Sequence, residues 1–286
     1  MSRIGSLCTG YGGLDMAVQR VFKVERMEWC VELDRHASKV IERRFPRTPN
    51  FGDVTAIDWR CLYMQVWRPE IITGGYPCQP FSHAGKRKGD NDERHLWPSI
   101  REAIRVLRPR VAFLENVPGH RSLGFDDVLR DCAEDGHDVR WTSVRASDIG
   151  APHGRERLFV AITPDPDGPG RQGNQLQPLR PIPPDQRRSL AVQPVLGRND
   201  AIPWGEYEPA IRRWEWITRR PAPNPTEPNK FGRPRLTAEF HEWMMGLPKG
   251  WVTDVDIPYT AKLRLTGNGV VVQQAELAIR ELMDIP

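Results

Sequence analysis

Short apolar runs alternate with amphipathic helical patterns over the first 162 residues of the chain. The apolar runs predict strands and the longer patterns predict helices between them. The predicted strands are Ile4–Cys8, Met27–Val31, Glu70–Thr73, Val111–Leu114, Val139–Val144 and Leu158–Ile162. The predicted helices are Leu14–Phe22, Asp34–Phe45, Ser99–Leu107 and Phe125–Asp135. This alternation predicts an α/β fold with a mostly parallel sheet covered by helices on both faces, where ligands bind at the carboxyl ends of strands.

The pattern breaks between residues 163 and 234. This stretch of 72 residues holds 15 of the 27 prolines in the chain, together with eleven Lys or Arg and three Trp. Because proline lacks a backbone N–H and disrupts helix interiors, long regular elements are not expected there. Two interpretations remain open: a disordered linker, above all over 164–200, or a small irregular recognition domain.

Regular patterns return after residue 234. Leu236–Met244 is predicted to be helical with Thr237 as its N-cap, and Val270–Met283 is predicted to form the last helix.

Composition and charge narrow the class of protein. The formal net charge of +4 permits nucleic-acid binding without demonstrating it. No apolar run is long enough to span a membrane, and the first residues lack a signal-peptide core. The five cysteines form no CxxC pair, which argues against a disulfide framework and against a cysteine zinc site. We therefore expect a cytoplasmic protein without a structural metal.

Glycines and carboxylates follow the first predicted strands. Gly10-Tyr11-Gly12-Gly13 allows a tight turn and a close backbone approach to a ligand, although an ordinary turn would need the same glycines. Glu32 ends the second strand, where an acid commonly binds a ribose diol, and Asp53 is predicted to follow a third strand. The glycine spacing differs from GxGxxG, so a nucleoside cofactor without a pyrophosphate is favoured over a dinucleotide.

A cysteine stands on a turn after the strand that ends near Thr73. Cys78 lies in Gly-Gly-Tyr-Pro-Cys-Gln-Pro-Phe-Ser, between glycines and polar residues. A lone cysteine is more often a small buried apolar residue, but this polar turn favours a nucleophile, which reacts as the thiolate. The segment that follows is basic and glycine-containing, which suits an anionic polymer.

Charged residues also surround the later strands. Glu115 ends an apolar strand, where partial burial would raise its pKa toward use as an acid. Arg155 and Arg157 share one side of an extended segment and could bind a phosphate or a carbonyl oxygen, although a solvated charged edge would look the same.

Taken in order, these segments resemble the cytosine-C5 DNA methyltransferase family. The resemblance rests on GYGG, VELD, GDV, GGYPCQPFS, ENV, PHGRER, RLT with MGLP, and GNGV, and it covers nearly the whole chain except about 165–230. It implies the S-adenosyl-methionine-dependent fold, with a doubly wound mixed sheet. Residues 1–162 and 235–286 would form the catalytic, cofactor-binding domain, and 163–234 would form a small target-recognition insert.

The resemblance also implies a reaction on a cytosine extruded from duplex DNA. Cys78 would add to cytosine C6, Glu115 would protonate N3, and Arg155 and Arg157 would bind the target nucleotide. The implied cofactor-binding residues are Gly10, Gly12, Glu32, Asp53, Leu96, Asn268 and Val270. The expected DNA contacts are Ser82, Lys86, Arg87, Arg212, Arg213, Arg219 and Arg220, with Trp214 and Trp216 beside them.

The expected setting is bacterial restriction-modification or phage self-protection. The expected form is a monomer, and a separate cognate restriction endonuclease could accompany it. The chain departs from the usual motifs at Cys8, His153, Leu265 and Gly269, none of which supplies a group needed for the chemistry. Two alternatives remain: a tRNA cytosine-C5 methyltransferase, whose usual Cys-Phe-Thr signature is missing, and a catalytically inactive DNA-binding homologue.

Overall fold

A computed structural model describes residues 3–65, 68–76, 96–122, 124–165 and 202–285. Its strands are β1 Ile4–Leu7, β2 Met27–Val31, β3 Ile71–Gly75, β4 Val111–Asn116, β5 His137–Arg145, β6 Glu156–Pro164, β7 Thr226–Pro228 and β8 Pro234–Leu236. Its α-helices are α1 Gly13–Phe22, α2 Arg35–Arg44, α3 Trp59–Met64, α4 Trp97–Leu107, α5 Phe125–Glu134, α6 Glu208–Thr218, α7 Ala238–Met244, α8 Tyr259–Asn268 and α9 Val272–Leu282.

Six strands form one mixed sheet in the order β2-β1-β3-β4-β6-β5. The neighbours β2, β1, β3 and β4 pair in parallel, whereas β6 runs antiparallel to both β4 and β5. Strands buried on both faces read as nearly continuous apolar runs, which is why their positions are visible in the sequence. The predicted fold class, a doubly wound mixed sheet with helices, is confirmed.

The sheet separates two hydrophobic cores. Alternate residues of one strand point to opposite faces, so Phe113 packs in one core and Leu114 in the other. The first core receives α1, α2 and α9, and the second receives α3, α4 and α5. Because α9 packs beside α1, the end of the chain lies against its beginning, and Arg20 forms an ion pair with Glu276 at 2.7 Å.

Two expectations about secondary structure are wrong. Asp53 does not follow a third strand: the segment before it forms only an isolated bridge between Asn50 and Cys30, because Pro46 and Pro49 remove ladder donors. The stretch 163–234 also contains a regular helix, α6, of 11 residues. Its single proline, Pro209, stands in the first turn, where a missing N–H costs no helical hydrogen bond.

The predicted helix Leu236–Met244 is confirmed with Thr237 as its N-cap and with its end at Met244, but its predicted start is wrong because Leu236 belongs to β8. It begins at Ala238, and the Thr237 hydroxyl accepts a hydrogen bond from the Phe240 amide at 3.2 Å. No helix in the described part of the chain is long and apolar enough to cross a membrane.

Candidate active site

The carboxyl ends of β1, β2, β3 and β4 open into one cavity of about 920 Å³. A cavity of this size at the edge of a parallel sheet suits a small-molecule ligand. Most of the residues predicted for cofactor binding line it: Gly10, Glu32, Asp53, Leu96, Asn268 and Val270. Glu115 and Arg157 line the same cavity, whereas Gly12 and Arg155 stand outside the lining. The structure thus brings residues from distant parts of the chain into one site.

The glycine turn between β1 and α1 is held by a carboxylate. Gly10 and Gly12 have φ angles of 59° and 82°, a backbone conformation that favours glycine. Glu32 accepts hydrogen bonds from the amides of Gly10 and Asp34, both at 2.7 Å. Burial raises the pKa of Glu32, and these amide donors oppose the rise. The observed role of Glu32 is to shape the turn, and its contact to a ribose stays a prediction.

Asp53 and Leu96 close another part of the cavity. The Asp53 carboxylate caps a 3₁₀ turn, Val54–Ala56, by accepting hydrogen bonds from the amide and hydroxyl of Thr55 at 2.9 and 2.8 Å. Leu96 immediately precedes α4 and is partly buried. Their predicted contacts to a cofactor remain predictions.

Tyr11 fastens this turn to the end of the chain. Its ring is buried, its hydroxyl donates a hydrogen bond to the Val270 carbonyl at 2.5 Å, and its own carbonyl accepts one from Trp251 Nε1 at 2.9 Å. A Cβ added at Gly269 would stand 2.0 Å from the Tyr11 ring. The Tyr11 ring therefore leaves no room for a side chain at position 269, which explains the glycine there.

This packing makes a stability prediction. Gly269→Ala is expected to lower the free energy of unfolding by about 1–3 kcal/mol, because the added methyl overlaps the buried Tyr11 ring. Gly267→Ala is the matched control, since among the described residues its Cβ would meet only His241 Cε1, at an ordinary contact distance of 3.6 Å. Urea unfolding of both variants measures the difference, and equal stabilities would contradict the packing argument.

Glu115 and Arg157 form an ion pair at the carboxyl end of β4. Arg157 Nε lies 2.7 Å from Glu115 Oε1, and both side chains are largely buried. Burial raises the pKa of Glu115 to about 7, although Arg157 and Arg155 oppose this rise. A carboxyl group with such a pKa can donate and accept a proton near neutral pH.

The carboxyl end of β3 lies beside the Glu115 side chain of this ion pair. Gly75 pairs with Glu115 across the sheet, and a Cβ on Gly75 would stand 3.5 Å from Glu115 Oε2. Cys78 follows three residues later, a span of at most about 11 Å. Cys78 itself lies outside the described residues, so its role as a nucleophile stays a prediction.

Arg155 contacts the protein backbone instead of the cavity. Its Nη1 and Nη2 donate hydrogen bonds to the carbonyls of Gly267 and Gly269, both at 2.7 Å. Arg155 therefore braces the segment that carries Asn268 and Val270. Its predicted contact to a nucleotide is untested, and in this structure only Arg157 of the two arginines reaches the cavity lining.

The arginines expected to contact DNA divide into two classes. Arg212 lies 3.1 Å from the buried Glu215 carboxylate, and Arg220 donates to the Leu247 carbonyl. Arg213 and Arg219 are exposed, and Arg219 stacks over the Trp216 ring at 4.9 Å.

Trp214 is fully buried and its Nε1 donates to the Trp243 carbonyl at 2.9 Å, so the expectation that it contacts DNA is wrong in this conformation. Ser82, Lys86 and Arg87 lie outside the described residues.

One buried acid in the cavity was missed by the sequence analysis. Asp15 is the third residue of α1 and accepts hydrogen bonds from the hydroxyls of Ser6 and Thr73. The sequence offered one indication of this acid: Asp15 is a charged residue among the apolar residues with which α1 faces the sheet.

Comparison with solved structures agrees with this architecture. A DNMT2 variant from Spodoptera frugiperda superposes with a TM-score of 0.67 at 16% identity, covering 99% of this chain and 100% of that one. A putative DNA modification methyltransferase of an Escherichia coli prophage gives a TM-score of 0.64 at 19% identity, covering 100% of this chain and 99% of that one. These likenesses concern the fold.

Curated relatives are type II methyltransferases. M.NlaX of Neisseria lactamica is 28% identical over 244 residues, which cover 84% of this chain and 72% of that protein. M.NgoBI of Neisseria gonorrhoeae is 33% identical, and M1.ScrFI of Lactococcus lactis subsp. cremoris is 32% identical. Each of these two matches covers 54% of this chain, and the chain spans only 48% and 39% of their respective lengths.

A family model supplies the assignment. The model for C-5 cytosine-specific DNA methylases matches residues 2–177, well over half of the chain. Members of that family use S-adenosyl-methionine, so the predicted enzyme class and cofactor are confirmed together with the family. The chain therefore belongs to the C-5 cytosine-specific DNA methylase family.

Proposed function

We propose that this protein transfers a methyl group from S-adenosyl-methionine to C5 of a cytosine that is extruded from duplex DNA. The observation that carries the proposal is the buried Glu115–Arg157 pair in the wall of the cavity that Glu32, Asp53 and Asn268 also line. A base inside a duplex cannot reach a cavity of this kind, so the target must leave the stack. The type II relatives support a restriction-modification role, with phage self-protection as the other setting.

The cavity suits S-adenosyl-methionine in the charge of its lining and in the space that it leaves beside the Gly10 backbone. Its lining carries five carboxylates, Asp15, Glu32, Asp34, Asp53 and Glu115, and three arginines, Arg35, Arg157 and Arg264. This acidic surplus suits a ligand with a net positive charge. No atom of the residues that the structure describes lies within 4 Å of a Cβ built on Gly10, so a ligand can approach the backbone there. When bound, S-adenosyl-methionine supplies an electrophilic methyl group.

The protein's own groups make the cytosine reactive. C5 of cytosine is a poor nucleophile until C6 carries an added group. Cys78 would add to C6 as the thiolate while Glu115 donates a proton to N3, so that the electron pair reaches C5. C5 would then take up the methyl group. Loss of the C5 proton and of the thiolate, with return of the N3 proton to Glu115, would release 5-methylcytosine. Arg157 would hold Glu115 in place and bind the base, and Asn116 would shape the site beside it.

Residues 163–234 are proposed to recognise the target sequence, with α6 as one element of the insert. Within α6 and its end, Arg213→Gln and Arg219→Gln are expected to weaken DNA binding, because both side chains are exposed. Each should reduce the slope of log K against log salt by about 1 if it neutralises a phosphate. Fluorescence anisotropy with a labelled duplex at several salt concentrations measures this slope.

Arg212→Gln is the contrasting variant. It is expected to destabilise the fold instead, because it removes the guanidinium that lies 3.1 Å from the buried Glu215 carboxylate. An unchanged salt slope in both exposed variants would remove Arg213 and Arg219 from the DNA interface.

A methyl-transfer assay tests the proposed function as a whole. Tritiated S-adenosyl-methionine is incubated with the protein and either unmethylated duplex DNA or tRNA, and the label in each nucleic acid is counted. Incorporation into duplex DNA is expected, and bisulfite sequencing of host DNA after expression would then identify the modified sequence. Incorporation into tRNA alone would favour the RNA-modifying alternative, and incorporation into neither would favour an inactive DNA-binding homologue.

A further inference from the structure

Asp15 places a carboxylate at the floor of the cavity. The residue is 1% exposed, and it lines the cavity from the first turn of α1. Its Oδ2 accepts a hydrogen bond from Ser6 Oγ at 3.0 Å, and its Oδ1 accepts one from Thr73 Oγ1 at 2.5 Å. Both donors are neutral hydroxyls, so the hydrogen bonds orient the carboxylate without neutralising its charge.

No cation pairs with Asp15 among the residues that the structure describes. Arg157 pairs with Glu115, and Arg264 pairs with Asp34 at 2.7 Å. Burial raises the pKa of Asp15 to about 6, although the hydrogen bonds from the two hydroxyls and from its own backbone amide lower the pKa. The Cys30 thiol on β2 stays neutral beside it, because burial and the Asp15 charge raise the thiol pKa to about 12. A buried, unpaired charge of this kind is unfavourable until a cation approaches it.

The affinity of a ligand for this cavity should therefore depend on the charge that the ligand brings near Asp15. S-adenosyl-methionine carries a sulfonium, an ammonium and a carboxylate, which sum to +1. Its demethylated product, S-adenosyl-homocysteine, has a neutral thioether in place of the sulfonium and sums to zero. The two ligands share their adenosine and amino-acid ends, so a fixed negative charge buried in the cavity lining distinguishes them through the sulfonium.

We propose that the ionised Asp15 carboxylate makes the cavity prefer the cationic cofactor over its neutral product, and so favours product release after methyl transfer. This inference rests on the proposed function only in taking S-adenosyl-methionine as the ligand of the cavity. Asp15 is a specificity-determining residue in this account, and Ser6 and Thr73 are the residues that position it.

Ligand affinities of the purified protein without DNA provide the test. Dissociation constants for S-adenosyl-methionine, S-adenosyl-homocysteine and sinefungin, whose protonated amine replaces the sulfonium methyl group, are measured by titration calorimetry at pH 7.5. In the Asp15→Asn variant, the preference for each cationic ligand over the neutral product is expected to fall about tenfold, the equivalent of one pKa unit. An equal loss of affinity for all three ligands, or no loss, would overturn the proposal.

The pH dependence gives a second measurement. In the unsubstituted protein the preference should be full above about pH 7 and should fall as the pH drops through about 6, because protonated Asp15 carries no charge. Binding of a cation should lower the Asp15 pKa, so S-adenosyl-methionine should release protons near pH 6 while the product releases fewer. Other charged or titratable groups of the cavity are Glu32, Asp34, Asp53, Glu115, Arg35, Arg157 and Arg264. The Asp15→Asn variant keeps all of these groups, among them Glu115 with its pKa of about 7, so it should lose only the part of the pH dependence that is centred near pH 6. A pH dependence that is unchanged in this variant would overturn the proposal.

Thr73→Val is a second variant that tests the role of Asp15 if Asp15→Asn fails to fold. This variant keeps the carboxylate and removes one hydroxyl that stabilises its ionised form, so the midpoint of the pH dependence should move upward. An unmoved midpoint would count against Asp15 as the group responsible. Failure of the proposed function is recognised separately, since it would leave the unsubstituted protein unable to methylate DNA whatever its ligand preference.

Discussion

Glu115→Gln is expected to lower the rate of methyl transfer by about 10²–10⁴-fold, the usual contribution of a positioned acid. Glutamine keeps the shape of the side chain but cannot give a proton to N3 of the cytosine. Glu115 is 7% exposed and burial raises its pKa to about 7, so the protonated form is well populated at neutral pH. Single-turnover transfer to duplex DNA measures the chemical step, and binding of S-adenosyl-methionine should remain.

The pH dependence of the same variant supplies an independent check. The donor is the protonated carboxyl, so the part of the rate that depends on it should fall as the pH rises above about 7. The Cys78 thiolate imposes the opposite trend, and the two together predict a bell-shaped profile. Glu115→Gln should lose the alkaline decline.

Glu156→Gln is the matched control, because this more exposed carboxylate on β6 pairs with Arg145 and lies outside the cavity lining. A rate near that of the unsubstituted protein in Glu115→Gln would exclude Glu115 as the acid.

Cys78→Ser is expected to remove methyl transfer by on the order of 10⁴- to 10⁶-fold, as loss of an enzyme nucleophile does. The serine hydroxyl is far less acidic than a thiol and cannot form the adduct at C6 at neutral pH. DNA that contains 5-fluorocytosine should trap the unsubstituted protein in a covalent complex that survives denaturation, because the fluorine at C5 cannot be eliminated. Denaturing gel electrophoresis measures this complex together with the rate.

Cys61→Ser is the control for the trapping experiment. Cys61 is an exposed cysteine on α3 and stands outside the cavity lining, so its replacement should leave both the rate and the complex unchanged. A trapped complex with Cys78→Ser, or turnover without any complex in the unsubstituted protein, would contradict attack by Cys78 at C6.

Much of the fold could be predicted because the strands are buried on both faces. Met27–Val31 was predicted with its observed limits, and the other five strands of the large sheet were predicted to within a few residues. The expected strand before Asp53 was wrong because two prolines prevent pairing there. The helix α6 was overlooked because a high average proline content conceals its proline-free part, Ala210–Thr218.

The sequence predicted which residues would share the site more successfully than it predicted which residues each of them would contact. Motif order indicated that Glu32, Glu115 and Asn268 would meet, and they do line one cavity. The same motifs placed Arg155 and Arg157 in one role, whereas Arg155 binds two backbone carbonyls of the terminal segment and Arg157 binds Glu115. Short-range spacing puts both arginines on one side of a strand, and it contains no information on what lies opposite each of them.

The amino-acid sequence by itself determined the fold class, the order of the strands along the chain, the family and the residue types available for the chemistry. Those properties depend on local patterns of burial and on short motifs. Only the tertiary structure decided that Tyr11 binds the Val270 carbonyl 259 positions away, that Arg212 is bound to Glu215, and that Asp15 lines the cavity with no cation paired to it in the described part of the chain. These contacts depend on which helices and strands pack together, and that packing is set by the whole core instead of by neighbouring residues.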